Sequence, residues 1–239
     1  MQHVSVKKLF KEQVRRYSHE DQYENSPLAG LILKWLKREK TKEKAEICEF
    51  GGGAGQLLGE IQKSYPNYNY TNVEIIDDYK RFLVSREIKY INASILDSKL
   101  ADSSFDIIIM RDVLHHLVGK SYKETVENQR YALYELKRLV KPGGAIFLEE
   151  LTNESGIATR IIYYLCLLNT RIGMHIPRLF ISKNVIVAFL TSSKLLNMCS
   201  QVFGEKNIEK QELVIKVKWY FRSLHFFGGL KKIILSIRK

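Results

Sequence analysis

Cysteine is scarce in this 239-residue chain: Cys48, Cys166 and Cys199 stand far apart and odd in number. No C-x-x-C pair and no Cys/His cluster is present, which argues against a zinc centre and against a disulfide framework. No bound metal is expected, and a reducing cytoplasm is the expected compartment. Long apolar runs are also lacking. The longest, "IIYYLCLL" from Ile161 to Leu168, is far shorter than the ~20 residues of a membrane span. The opening "MQHVSVKKLFKEQVRR" has no apolar core segment, so no secretory leader is expected. Acidic residues run short toward one end only. Residues 1–150 hold 24 Lys and Arg against 22 Asp and Glu, whereas residues 151–239 hold 14 against 4. The net charge of +12 is therefore almost all in the second part, and an anionic partner or a solubilising surface would each explain it.

What is present is order. A short apolar segment, "AEICEF", runs into the glycine-rich "GGGAGQ", and "QLLGEIQKSY" follows with helical spacing. "YNYTNVEII" reads as a second strand and "DDYKRFLVSRE" as a second helix. "KYINASI" and "FDIIIM" read as further strands, the latter apolar throughout as a buried parallel strand is. "KETVENQRYALYELKRLV" reads as a helix stopped by "KPGG", and "AIFLEE" as a fifth strand. Strands alternating with helices predict an α/β fold with right-handed crossovers. Ahead of them, residues 5–38 read as two helices around "NSPLAG".

The glycine loop sits after the first strand, where an open α/β sheet binds ligands. A phosphate loop requires G-x-x-x-x-G-K-[ST], and here Gln56 and Leu57 follow the last glycine. The dinucleotide pattern G-x-G-x-x-G/A fails in both frames, at Gln56 and at Leu58. The pattern that fits is E-x-G-x-G-x-G: Glu49, Gly51, Gly53 and Gly55.

That pattern, with "DSSFDIIIMRDVLHHL" and "YELKRLVKPGGAIFLEE" in order and spacing, resembles the class I S-adenosylmethionine-dependent methyltransferases, and most closely their small-molecule, quinone-biosynthesis-like branch. The resemblance covers residues 46–150 and implies a Rossmann-like, doubly wound sheet, mostly parallel with an antiparallel last strand. It divides the chain into N-terminal helices covering the cofactor site (1–45), the cofactor-binding core (46–150), a helical acceptor-binding insertion after the fifth strand (151–190), and a last helix with a C-terminal strand pair (191–239). It implies S-adenosyl-L-methionine as cofactor. Gly51, Gly53 and Gly55 would admit its methionine and ribose portions, Glu49 would lie near its amino end, and Glu74 would accept from its ribose hydroxyls. Ser94 and Ile95 fall beside the adenine, Ser94 where an acid is usual; the alternatives are Asp97 in its place, or an adenine held mainly by backbone and apolar contacts. Arg111 would position the cofactor through its backbone.

After the fourth strand come Met110, Arg111, Asp112, His115 and His116. Either histidine can serve as general base on an acceptor, or the pair can be structural. "MRDV" is not the [N/D]-P-P-Y turn of enzymes that methylate nucleobase or glutamine amino groups. No cysteine lies near it for cytosine C5 chemistry, and no cysteine cluster exists for an arsenic acceptor. A small, hydrophobic or lipid-like acceptor remains, methylated on oxygen, nitrogen or carbon. Tyr163, Tyr164, Met174, His175 and Phe180 are candidates to line its pocket. The rivals are a nucleic-acid methyltransferase using the basic lobe and a cofactor-binding regulator that transfers nothing. The basic residues of 151–239 alternate with Ile, Leu, Phe and Tyr, which favours peripheral contact with an anionic membrane over nucleic acid.

Overall fold

The computed structural model describes residues 26–39, 43–172, 186–213 and 229–239. The first of the two expected N-terminal helices, and Met174, His175 and Phe180, lie outside the described residues. Helix α1 (Pro27–Arg38) begins with proline, whose missing N–H costs nothing there, and buries Leu28, Ile32, Trp35 and Leu36 along one stripe.

The core alternates β1 (Glu46–Phe50), α2 (Gln56–Ser64), β2 (Asn69–Glu74), β3 (Lys89–Asn92), β4 (Phe105–Arg111), α3 (Tyr122–Leu139) and β5 (Val140–Asn153). Then come α4 (Gly156–Ile172), α5 (Ser192–Phe203), β6 (Ile208–Leu213) and β7 (Leu230–Arg238). The seven strands lie in the order β3-β2-β1-β4-β5-β7-β6. Neighbours among β1 to β5 are parallel, whereas β7 runs antiparallel to both β5 and β6. The expected α/β architecture is thus present: β6 runs parallel to β1–β5, and β7, the last strand, is the one reversed.

Alternation along the strands sorts the core into two layers. Ile47, Ile107, Ile109 and Phe147 face α1 and α2, packing on Ile32, Trp35, Leu57 and Ile61. Cys48, Phe50, Ile108, Met110 and Leu148 face α3 and α5, packing on Leu133, Leu136, Leu195 and Met198. A smaller cluster under α4 joins Ile162, Tyr163 and Cys166 to Ile186–Phe189 and Leu230.

The stretch read as a second helix is instead a 3-10 turn, Asp77–Phe82. Its continuation is captured by tertiary structure: the Val84 N–H donates to the Ala54 carbonyl at 3.1 Å, beside the glycine loop. Of the expected insertion, α4 is the helix described; residues 173–185 lie outside the described residues. Among the described residues, no helix is long and apolar enough to cross a membrane.

Candidate active site

Chain order reverses between β1 and β4: the chain moves from β1 to β2 on one side and from β4 to β5 on the other. A crevice opens beyond the carboxyl ends of strands at such a point. The loop there turns through Gly51 (φ 73°), Gly53 (φ 56°) and Gly55 (φ 76°), all left-handed, a region that side chains disfavour. Gly52 is excluded from bearing a side chain for a different reason. A Cβ on it would lie 2.6 Å from Asn72 Oδ1 and 2.7 Å from Glu49 Oε2.

Both of those oxygens are buried and accept no hydrogen bond. Burial raises the Glu49 carboxyl to about 7, against the opposing charge of Arg111 and with help from Glu74. Two bare acceptors beside a glycine cradle, one of them a carboxylate poised to ionise, fit an ammonium group. Glu74 stands at the end of β2. Its Oε2 accepts from the Gly53 N–H at 3.1 Å and its Oε1 from the Ile76 N–H at 2.9 Å. Asn72 Nδ2 donates to the Gly53 carbonyl at 2.8 Å. So β2 holds the glycine loop in place, and each Glu74 oxygen keeps lone-pair capacity for a hydroxyl donor.

Ser94 caps the short turn Ile95–Asp97, its hydroxyl accepting from the Leu96 N–H at 3.2 Å, and Ile95 is buried. Asp97 is two-thirds exposed and paired with Lys99 at 2.6 Å. Arg111 ends β4, in register with Glu149 of β5.

The turn after β4 carries the histidines. His115 Nδ1 lies 2.5 Å from Glu150 Oε1, and the other carboxylate oxygen accepts from the Leu114 N–H at 2.8 Å. Burial disfavours the imidazolium, but the Glu150 charge and hydrogen bond, with Asp112 adding, outweigh it. His115 is therefore held above the ordinary histidine range. His116, 4.1 Å from it between ring centroids, is driven well below that range by burial and by its neighbour, and is neutral. Gln129 of α3 fastens the turn, its Nε2 donating to the carbonyls of Leu114 (3.1 Å) and Ala188 (2.8 Å). Phe189 packs on the His115 ring at 5.3 Å. Tyr163 is buried under α4, while Tyr164 faces out.

Glu150, Glu149, Gln129 and Lys232 were not singled out from sequence. "LEE" closing an apolar strand at the ligand edge of the sheet is a signal for the two glutamates. Nothing local marks Gln129 or Lys232. Among the described residues, Asp112, His115 and Glu150 form the group whose possible metal-ligand atoms come within 4.8 Å of one another. Its charges are already answered from within the protein, Asp112 by Lys232 at 2.9 Å and Glu150 by His115.

Residues 48–148 match the family model described as "Methyltransferase domain". The highly reducing polyketide synthase verA of Penicillium polonicum is 33% identical over 124 residues, which are 47% of this chain and 4% of that protein. The hybrid PKS-NRPS synthetase iccA of Talaromyces variabilis is 26% identical over 146 residues, 55% of this chain and 3% of that one. The chain thus corresponds to a small fraction of the length of these synthases. Among solved structures, Burkholderia thailandensis 1,6-didemethyltoxoflavin-N1-methyltransferase, with bound S-adenosylhomocysteine, shares the fold. Its TM-score is 0.59 at 12% identity, over 99% of this chain and 88% of that one. Residues 48–148 are thus similar to a methyltransferase domain, and the fold is one shared with a solved methyltransferase.

Proposed function

We propose that the protein methylates a small hydrophobic molecule at an acidic C–H or O–H, with His115 as general base. The buried contact of His115 with Glu150, beside the cofactor crevice, carries this reading. Glu49, Gly51, Gly53, Gly55 and Glu74 would hold S-adenosylmethionine, with Ser94 and Ile95 at its adenine and Arg111 behind Glu49. When bound, the cofactor supplies a methyl group on a sulfonium, an electrophile that requires no metal.

The chain's own part is to remove a proton and to stabilise what results. His115, in its neutral form, takes the proton of the acceptor, and the freed electron pair forms the new bond to the methyl carbon as the carbon–sulfur bond breaks. Glu150 fixes the ring and stabilises the imidazolium so formed. A base held above the usual histidine range suits a weakly acidic proton, such as one on carbon between two carbonyls. One relative is a polyketide synthase by name and another a hybrid PKS-NRPS synthetase, which supports a carbonyl-bearing acceptor. His116, neutral beside it, is the alternative base. Incubation with methyl-labelled cofactor and a β-ketoacyl thioester tests this reading. Label on the carbon between the carbonyls, lost in His115→Ala, is expected; label on an amine, or full turnover without His115, overturns it.

One surface favours contact with an anionic membrane as the source of such an acceptor. Ile157, Ile161, Tyr164 and Leu168 of α4 are exposed at helical spacing, while Ile162, Tyr163 and Cys166 on its other face are buried. Exposed Arg160 lies among them, and residues 157–172 contain no acid. A stripe of this kind with basic flanks enters a lipid interface, whereas a nucleic-acid surface has no use for the aliphatics. Co-sedimentation with phosphatidylserine vesicles at low and high salt tests it; no binding at low salt removes the membrane.

A further inference from the structure

We infer that Lys232 is a positioning residue for the base: from the antiparallel strand β7 it anchors the turn that carries His115 and balances the carboxylates around that ring. The inference rests on His115 as the base. Lys232 Nζ donates to Asp112 Oδ2 at 2.9 Å and to Glu149 Oε1 at 2.6 Å, so one ammonium joins the residue after β4 to a glutamate within β5. Its side chain is about a quarter exposed, that of Glu149 4%.

Asp112 explains why such an anchor is needed. It is a non-glycine residue at φ 53°, a conformation that costs on the order of 1 kcal/mol and persists only when its surroundings impose it. Its N–H donates to the Glu149 carbonyl at 2.9 Å, and its carboxylate is drawn to Lys232. A glycine would take the turn without strain. The aspartate makes sense if its charge is used, and the group that uses it is Lys232. Three residues on, His115 reaches Glu150.

The charges of the cluster then alternate across the sheet edge. Those acting on His115 are Asp112 and His116 on its own turn, Glu150 on β5 and Lys232 on β7, while Glu149 and Arg111, at the neighbouring ends of β5 and β4, act on Glu49. Glu150 and Asp112 favour the imidazolium, and Lys232 opposes it. Without the ammonium, the opposing charge is gone and Asp112, which acts on the ring, loses its partner. His115 would hold its proton more tightly, and its neutral, proton-accepting form would be rarer at neutral pH.

The same contacts would exist if Lys232 merely pinned an edge strand. The next residue supplies the control, since Lys231 makes an ordinary, half-exposed pair with Glu154 at 3.4 Å. The test is an NMR titration of His115 in imidazole-labelled full-length protein, its signal assigned by its loss in His115→Gln. In Lys232→Met the midpoint should rise by about one pH unit. Lys232→Arg should restore it, and Lys231→Met should leave it unchanged. Asp112→Asn, which removes a carboxylate and leaves no unpaired anion of its own, should lower it. An unmoved midpoint in Lys232→Met overturns the inference, as does a rise in Asp112→Asn if Lys232→Met does not fold. Failure of the base reading is distinguishable: the midpoints would shift as described, yet His115→Gln would still transfer methyl to the β-ketoacyl thioester.

Discussion

His115 Nδ1 and Glu150 Oε1 stand 2.5 Å apart, joining the turn after β4 to a residue 35 positions later in β5. Parallel strands put both at the same edge of the sheet, and burial strengthens the contact between them. His115→Ala and Glu150→Gln should each lower turnover by roughly 10²–10⁴. Cofactor affinity by calorimetry should stay within about twofold in both, because neither residue belongs to the glycine cradle.

The same contact sets a pH dependence. His115 works as a base only when deprotonated, and Glu150 holds it above its ordinary value. The ascending limb of kcat/KM in the wild type should therefore lie above pH ~6.5. In Glu150→Gln burial is opposed only by Asp112, and the limb should move toward lower pH while the maximum rate falls.

Glu49 gives a second pH signature. Its carboxyl is held at about 7 by burial. Cofactor binding needs the ionised form opposite an ammonium, so affinity should rise with pH up to about 7 and level off, with proton release measurable by calorimetry in buffers of different ionisation enthalpy. The folding consequence has the opposite sign. The folded state holds this proton more tightly than the unfolded chain, so the group favours folding at low pH and that contribution is lost as pH rises from about 4.5 to about 7. Glu49→Gln should therefore gain stability relative to wild type on going from pH 4 to pH 8, on the order of 3 kcal/mol, as read by chemical denaturation without cofactor.

Glu74 and Gly52 probe the cradle. Glu74→Ala removes the acceptor of the Gly53 and Ile76 N–H groups as well as the proposed ribose contact. Cofactor binding should weaken by roughly 1.5–3 kcal/mol, with some loss of stability. Gly52→Ala drives a methyl into Glu49 and Asn72 and should weaken binding at least about tenfold in the same calorimetric titration.

Gln129 ties α3 to two carbonyls, Leu114 and Ala188, on either side of the histidine pair. Gln129→Leu removes both bonds, though the Leu114 carbonyl keeps the Leu117 N–H at 3.0 Å, and should cost about 1–2 kcal/mol in urea unfolding, with turnover falling alongside.

The sequence by itself determined the sheet and the cradle. Apolar runs with periods of two and 3.6 are written locally, and so are the demands of a glycine loop, which is why β1 to β5, α2, α3 and the Glu49–Gly55 turn were legible. The turn at Asp77–Phe82 was not, because the carbonyl that captures Val84 belongs to Ala54, thirty positions earlier. The strand pairing at the edge was legible only in outline, since antiparallel partners of β7 come from β5 and β6 together. Tertiary structure alone decided the chemistry of the histidines. Two adjacent histidines are alike in sequence, and they differ here because a glutamate from β5 reaches one of them. Lys232 is an ordinary basic residue on an apolar strand until β7 is laid beside β5, which brings its ammonium between Asp112, 120 residues away, and Glu149, 83 residues away. Charges act through space over a few ångströms, and only the folded sheet brings these groups that close.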